Sequence, residues 1–162
     1  MKGHPRTLIG GVGHRWQRDA SFGVVVCDEL SRLDWPDGVD VADLGYGAIY
    51  AAQDIGDAVP PYERVILLAA MPRGRERGRL YSYRYDRELP EAEEIQARVR
   101  EAGAGVVDLD HLLVIADHLH VLPPEVVVIE LEPVDMSPGI ELSAEGAACV
   151  AQAVTLARDA VP

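Results

Sequence analysis

Residues 8–23 read LIGGVGHRWQRDASFG. Leu8 and Ile9 close a buried-strand pattern, Gly10, Gly11 and Gly13 allow a tight turn, and an apolar helical pattern follows. A strand that feeds a helix through glycines is the first unit of an open α/β sheet. The stretch is not a dinucleotide loop. G-x-G-x-x-G places a third glycine three residues after Gly13, and Trp16 stands there, where it obstructs both helix packing and an approaching pyrophosphate. The lysine of a P-loop is also missing.

Outward from this junction the elements alternate. Strands are expected over residues 7–13, 39–45, 64–71, 79–85 and 125–131. The run VILLAAM inside 64–71 suits a central parallel strand covered on both faces. In 79–85, Tyr81, Tyr83 and Tyr85 alternate with Ser82 and Arg84, the pattern of a strand near a sheet edge. Helices are expected over 19–32, 48–55, 90–102 and 111–121. A last helix is capped by Ser143 and buries Ala147, Val150, Ala151, Val154 and Ala157. The fold class is α/β: one three-layer α/β/α domain over residues 1–162, with a mixed, mostly parallel sheet of about five strands. Ligands of such sheets bind beyond the carboxyl ends of the strands. The places to search are therefore 13–20, 43–47, 69–74 and the loop after Leu131.

Composition narrows the function. Hydrophobic residues make up 48% of 162, enough for a real core. A net charge of −12 argues against nucleic acid, which needs a cationic surface. No apolar run is long enough to cross a bilayer and no leader pattern opens the chain, so a cytoplasmic protein without a membrane partner is expected. Cys27 and Cys149 sit in apolar, helix-like stretches and read as buried free thiols.

Five blocks, in order, resemble the hydrogenase maturation proteases, which trim the C-terminal tail of the large subunit of nickel-iron hydrogenases. They are Gly11-Val12-Gly13 with His14, Asp19, Ala20 and Gly23; Asp43-Leu44-Gly45-Tyr46-Gly47; VILLAAMPRGRERGRL over 65–80; HLLVIADHL over 111–119; and the strand, proline and G-x-x-L-S of 126–143. Residues 90–105 form a longer insert than the family usually carries. The resemblance implies three ligands, a Glu, an Asp and a His, that grip the nickel of the immature substrate. The Glu position is Ala20 and the Asp position is Ala69, and only the His remains, as His111. A methyl group coordinates nothing, and one imidazole binds divalent nickel weakly. His14 replaces the family's Asn and adds one candidate metal donor. No tightly bound cofactor is expected, and nickel enters only as a substrate-borne ion.

Other residues at the strand exits have competing readings. Asp19 either binds a partner or caps the first helix, and Asp43 either binds or holds its own turn. Arg73, Arg75 and Arg77 form a basic loop in an acidic chain: a clamp for an acidic partner segment, joined by Trp16 and Arg15, or a solvated connection. Changing all three to Ser is expected to weaken such an association and to leave stability within about 1 kcal/mol, as at exposed positions. The family resemblance implies a protein acting on or binding the hydrogenase large subunit. The missing acids leave open an endopeptidase, a non-catalytic assembly factor for that or another protein, and a small-molecule enzyme on the same scaffold.

Overall fold

The computed structural model describes residues 5–87 and 89–162. Five strands form one sheet in the order β2-β1-β3-β5-β4. They are β1 (Thr7–Gly11), β2 (Val39–Asp43), β3 (Arg64–Ala70), β4 (Leu80–Arg84) and β5 (Glu125–Leu131). Four run parallel; β4 lies at the edge, where its tyrosine alternation places it, and pairs antiparallel with β5. The helices are α1 (Phe22–Leu30), α2 (Ala48–Asp57), α3 (Ala92–Gly103), α4 (Leu109–His118) and α5 (Ala144–Ala160). One cluster of buried residues lies between the sheet and α2 and α4; the other lies between the sheet and α1 and α5. The sheet is thus covered on both faces, which is why β3 reads as an unbroken apolar run. Each large aliphatic side chain buried there stabilises the fold by about 1.5–3 kcal/mol.

Three expectations are corrected. The first helix does not begin at Asp19: a short 3₁₀ turn (Arg18–Ser21) precedes α1, and Leu33 lies beyond its end, on the surface. Asp19 makes no capping bond to either helix. Ser143 does cap α5 through Gly146 N–H, but the fully buried stripe is Gly146, Cys149, Ala153 and Ala157, while Ala147 and Ala151 face solvent. The stripe slips because small residues surround it, so composition alone does not set the phase of the helix. Cys27 and Cys149 are buried and free, and burial raises the Cys27 thiol to about 11.

The β1–α1 junction is held by backbone proximity. A Cβ on Gly23 would overlap the carbonyl oxygen of Leu68, and one on Gly11 the carbonyl oxygen of Gly23. With no side chain at Gly11 or Gly23, the first turn of α1 lies close against β1 and β3 at the mouth of the sheet. From β1 the chain crosses to β2 on one side and then to β3 on the other. This makes the β1–β3 crevice the switch point where α/β sheets bind ligands.

Candidate functional site

At that crevice lies a cavity of about 280 Å³. Its floor is Val12, Ala20, Ala69 and Leu109, all buried. Met71, Val106 and Met136 form its rim. Ala20 and Ala69, 49 positions apart in sequence, therefore share one wall-and-floor surface, and each offers only a methyl group. Hydrogen bonding of His14 N–H to the Ala20 carbonyl, 3.1 Å, closes the loop that carries Ala20 inward. His14 itself is half-buried, and its ring has no hydrogen-bond partner among the described residues. It lines both this cavity and a neighbouring depression with Arg15, Trp16, Asp43 and Tyr46. On the other side, Pro72 and Met136 are shared with a third depression that includes Arg75, Arg77 and Glu132. The three together make a groove across the strand exits.

His111 is not part of the cavity lining. Its ring is buried between two carboxylates, with Nδ1 2.6 Å from Asp108 Oδ1 and Nε2 2.5 Å from Glu101 Oε2. Burial lowers the pKa of the ring, but the hydrogen bonds to Asp108 and Glu101 outweigh it and the pKa is raised. A metal needs a bare ring nitrogen, and here both are engaged. Asp108 also caps α4 by accepting His111 N–H at 2.9 Å. Among the described residues, no three His, Cys, Asp or Glu side chains are placed to hold a metal ion. The residues present therefore do not fit the nickel grip that the family resemblance implies.

The other singled-out residues divide sharply. Asp19 is fully buried and accepts from Val134 N–H (2.8 Å), Asp135 N–H (3.1 Å), Ser143 N–H (2.9 Å) and Ser143 Oγ (2.8 Å). It is the clamp of the loop after β5, neither a helix cap nor a surface ligand. Asp43 holds its own turn, accepting Gly45 N–H at 2.7 Å, and also receives Arg15 Nη2 at 2.9 Å. Arg15 bridges Asp43 and Asp28, and its hydrogen bonds hold the Asp28 carboxyl below its ordinary value. Trp16 is 68% exposed on the groove's lip.

Two of the three loop arginines are tied into the fold. Arg73 Nε and Nη2 reach Glu130 at 2.7 and 3.0 Å, and Arg75 Nη2 reaches it at 2.5 Å. Tyr83 OH donates to the same carboxylate at 3.0 Å. Arg75 Nε and Arg73 N–H engage Glu132 at 2.8 and 2.9 Å, and Arg73 Nη2 continues to Asp110 at 2.7 Å. Glu130 is 0% exposed, so these guanidiniums replace the water that a buried carboxylate lacks. Burial and the Glu130 charge raise the Tyr83 phenol to about 12. Of the three, only Arg77 has no ion-pair partner among the described residues, Arg79 beside it being paired with Glu76. Glu130 was legible only as an acid inside an apolar strand, opposite a run of arginines. Its register partner on β3 is Ala69, on the same face of the sheet.

No protein-family model matches the chain, and no curated protein matches it significantly. Solved structures do. The hydrogenase 2 maturation peptidase from a Thaumarchaeota archaeon is 34% identical, with 96% of this chain and 97% of that chain covered and a TM-score of 0.67. The E. coli hydrogenase maturating endopeptidase HybD is 21% identical over 96% of this chain and 91% of its own, with a TM-score of 0.71. The Thermococcus kodakarensis NiFe hydrogenase maturation protease HybD is 20% identical over 97% and 99%, with a TM-score of 0.66. The last two share the fold. With the first, identity over nearly the whole length joins the ordered motifs and the strand-exit cavity, and this chain belongs to the hydrogenase maturation protease family.

Proposed function

We propose that this chain binds the large subunit of a nickel-iron hydrogenase at the strand-exit groove as a maturation factor, and does not cut it. The observation that carries this reading is the cavity itself. It opens at the strand exits with room for a side chain of a substrate segment, yet the two positions that the family resemblance assigns to acids are methyl groups and the histidine is held by Asp108 and Glu101. With Asp108 held by His111 and no set of three donors among the described residues, the cavity offers no grip on a substrate-borne nickel ion, and no hydrolytic step is assigned to it. The free buried thiols suit a reducing compartment such as the cytoplasm.

The test uses the purified chain and the nickel-loaded precursor of the cognate large subunit. Co-elution in size-exclusion chromatography, with the precursor mass unchanged after prolonged incubation, is expected. Loss of the C-terminal tail with turnover would overturn the reading in favour of an endopeptidase, and failure to co-elute would overturn the choice of partner.

A further inference from the structure

We infer that the β1–β3 cavity takes one large apolar side chain of an extended peptide whose neighbouring acidic residue meets Arg77. The inference rests on the reading above only for the parent of that peptide.

Size and lining point to an apolar side chain. An apolar cavity of about 150 Å³ is enough to take benzene; this one is about 280 Å³ and open at its rim. Its floor is aliphatic, and Met71 and Met136 stand at the mouth. Thioether side chains are flexible and fit themselves to varied apolar shapes. Of the polar side chains in the lining, Asp108 is engaged through Oδ1 by His111, His14 also lines the neighbouring depression, and Gln17 is uncharged. A charged or strongly hydrated group would lose its water here and find little in return. The groove gives the peptide its direction, since the cavity is continuous with a depression at each side. In the one bordered by Pro72 and Met136, Arg73 and Arg75 are neutralised by Glu130 and Glu132, and Arg77 is the cation left for an incoming carboxylate.

The probe is a capped Asp-Ala-Phe-Ala-Asp peptide, titrated into the ¹⁵N-labelled chain and followed by amide shifts. The shifts should centre on Val12, Gly13, Ala69, Met71 and Val107. Replacing the probe's Phe by Ala should weaken binding by at least about tenfold, the worth of burying one aromatic side chain. Replacing its Asp residues by Asn, or Arg77→Ser in the protein, should weaken it less and remove its salt dependence. Ala20→Leu, which fills the cavity, should act like the loss of Phe. The probe-side changes keep the test valid if that variant fails to fold. Equal binding of the Phe and Ala peptides, shifts centred on the α3–α4 depression near Ile95 and His118, or no binding at millimolar probe would each overturn the inference. If the probe binds as stated while the large subunit does not, the proposed partner fails and the pocket stands. If the large subunit binds wild type and Ala20→Leu alike, the pocket fails and the partner stands.

Discussion

Removing the guanidiniums of Arg73 and Arg75 while keeping their aliphatic stems isolates what the arginine loop does. In Arg73→Met with Arg75→Met, Glu130 loses all three guanidinium bonds, at 2.5 to 3.0 Å, and keeps only Tyr83 OH. Either single change leaves one arginine in place and costs about 1.5–3 kcal/mol, the range for a hydrogen bond to a charged group. The double change leaves a carboxylate that is 0% exposed without a counter-charge, which costs about 3–5 kcal/mol. Against a total of about 5–15 kcal/mol this is a large share. The melting temperature should fall by roughly 6–20 °C, taking 2–4 °C per kcal/mol for a chain of this size. Urea unfolding of the wild type, both singles, the double, and the double with Glu130→Gln is the assay. The added Glu130→Gln should restore part of the loss, because a buried amide is cheaper to leave in place than a buried charge. Arg77→Met, the control, should stay within about 0.5 kcal/mol. If the double variant falls within about 1 kcal/mol of wild type, or Glu130→Gln gives no rescue, the ion-pair account is wrong. The same numbers replace the sequence-based expectation that the three arginines are dispensable for stability.

Three further outcomes follow from the site. Calorimetric titration of the wild type with nickel should give no tight one-to-one isotherm, since Ala20 and Ala69 offer methyls and both His111 nitrogens are engaged; a micromolar complex abolished by His111→Ala would refute this. The raised pKa of His111 means that its contribution to stability is fully present below the ordinary value of 6.5 and is lost as pH rises through the folded value. Urea midpoints over that window should fall in the wild type more than in His111→Gln, and parallel curves would contradict it. Asp19→Ala should destabilise the chain by about 2–4 kcal/mol, since its carboxylate accepts four bonds that do not add independently. It should also speed hydrogen exchange at Val134, Asp135 and Ser143, while unchanged exchange there would remove its clamp role.

Much of the frame was legible because it is written in periodicity. The run from Glu125 to Leu131 is a strand at its expected ends, and the tyrosines of β4 mark an edge. The helical boundaries drifted where small residues dilute the pattern, as in α5. The site was legible in part. The motifs bring Ala20 and Ala69 to one cavity, but partners distant in sequence could not be read from local pattern. Arg73 and Glu130 are 57 residues apart, and His111 meets Glu101 from another helix. Buried ion pairs are set by register across the sheet, and no spacing rule within one segment reports them.

The contact of α1 with the sheet separates two kinds of mutational freedom in this chain. At Gly11 and Gly23 even a single added carbon would meet a carbonyl oxygen, and a main-chain atom cannot rotate aside. At Ala20 and Ala69 the side chain faces open volume. Backbone contact thus bars substitution where the crevice is framed, and no main-chain atom bars it where the cavity opens. A lineage can exchange the groups that decide chemistry while the mouth that receives a partner keeps its shape.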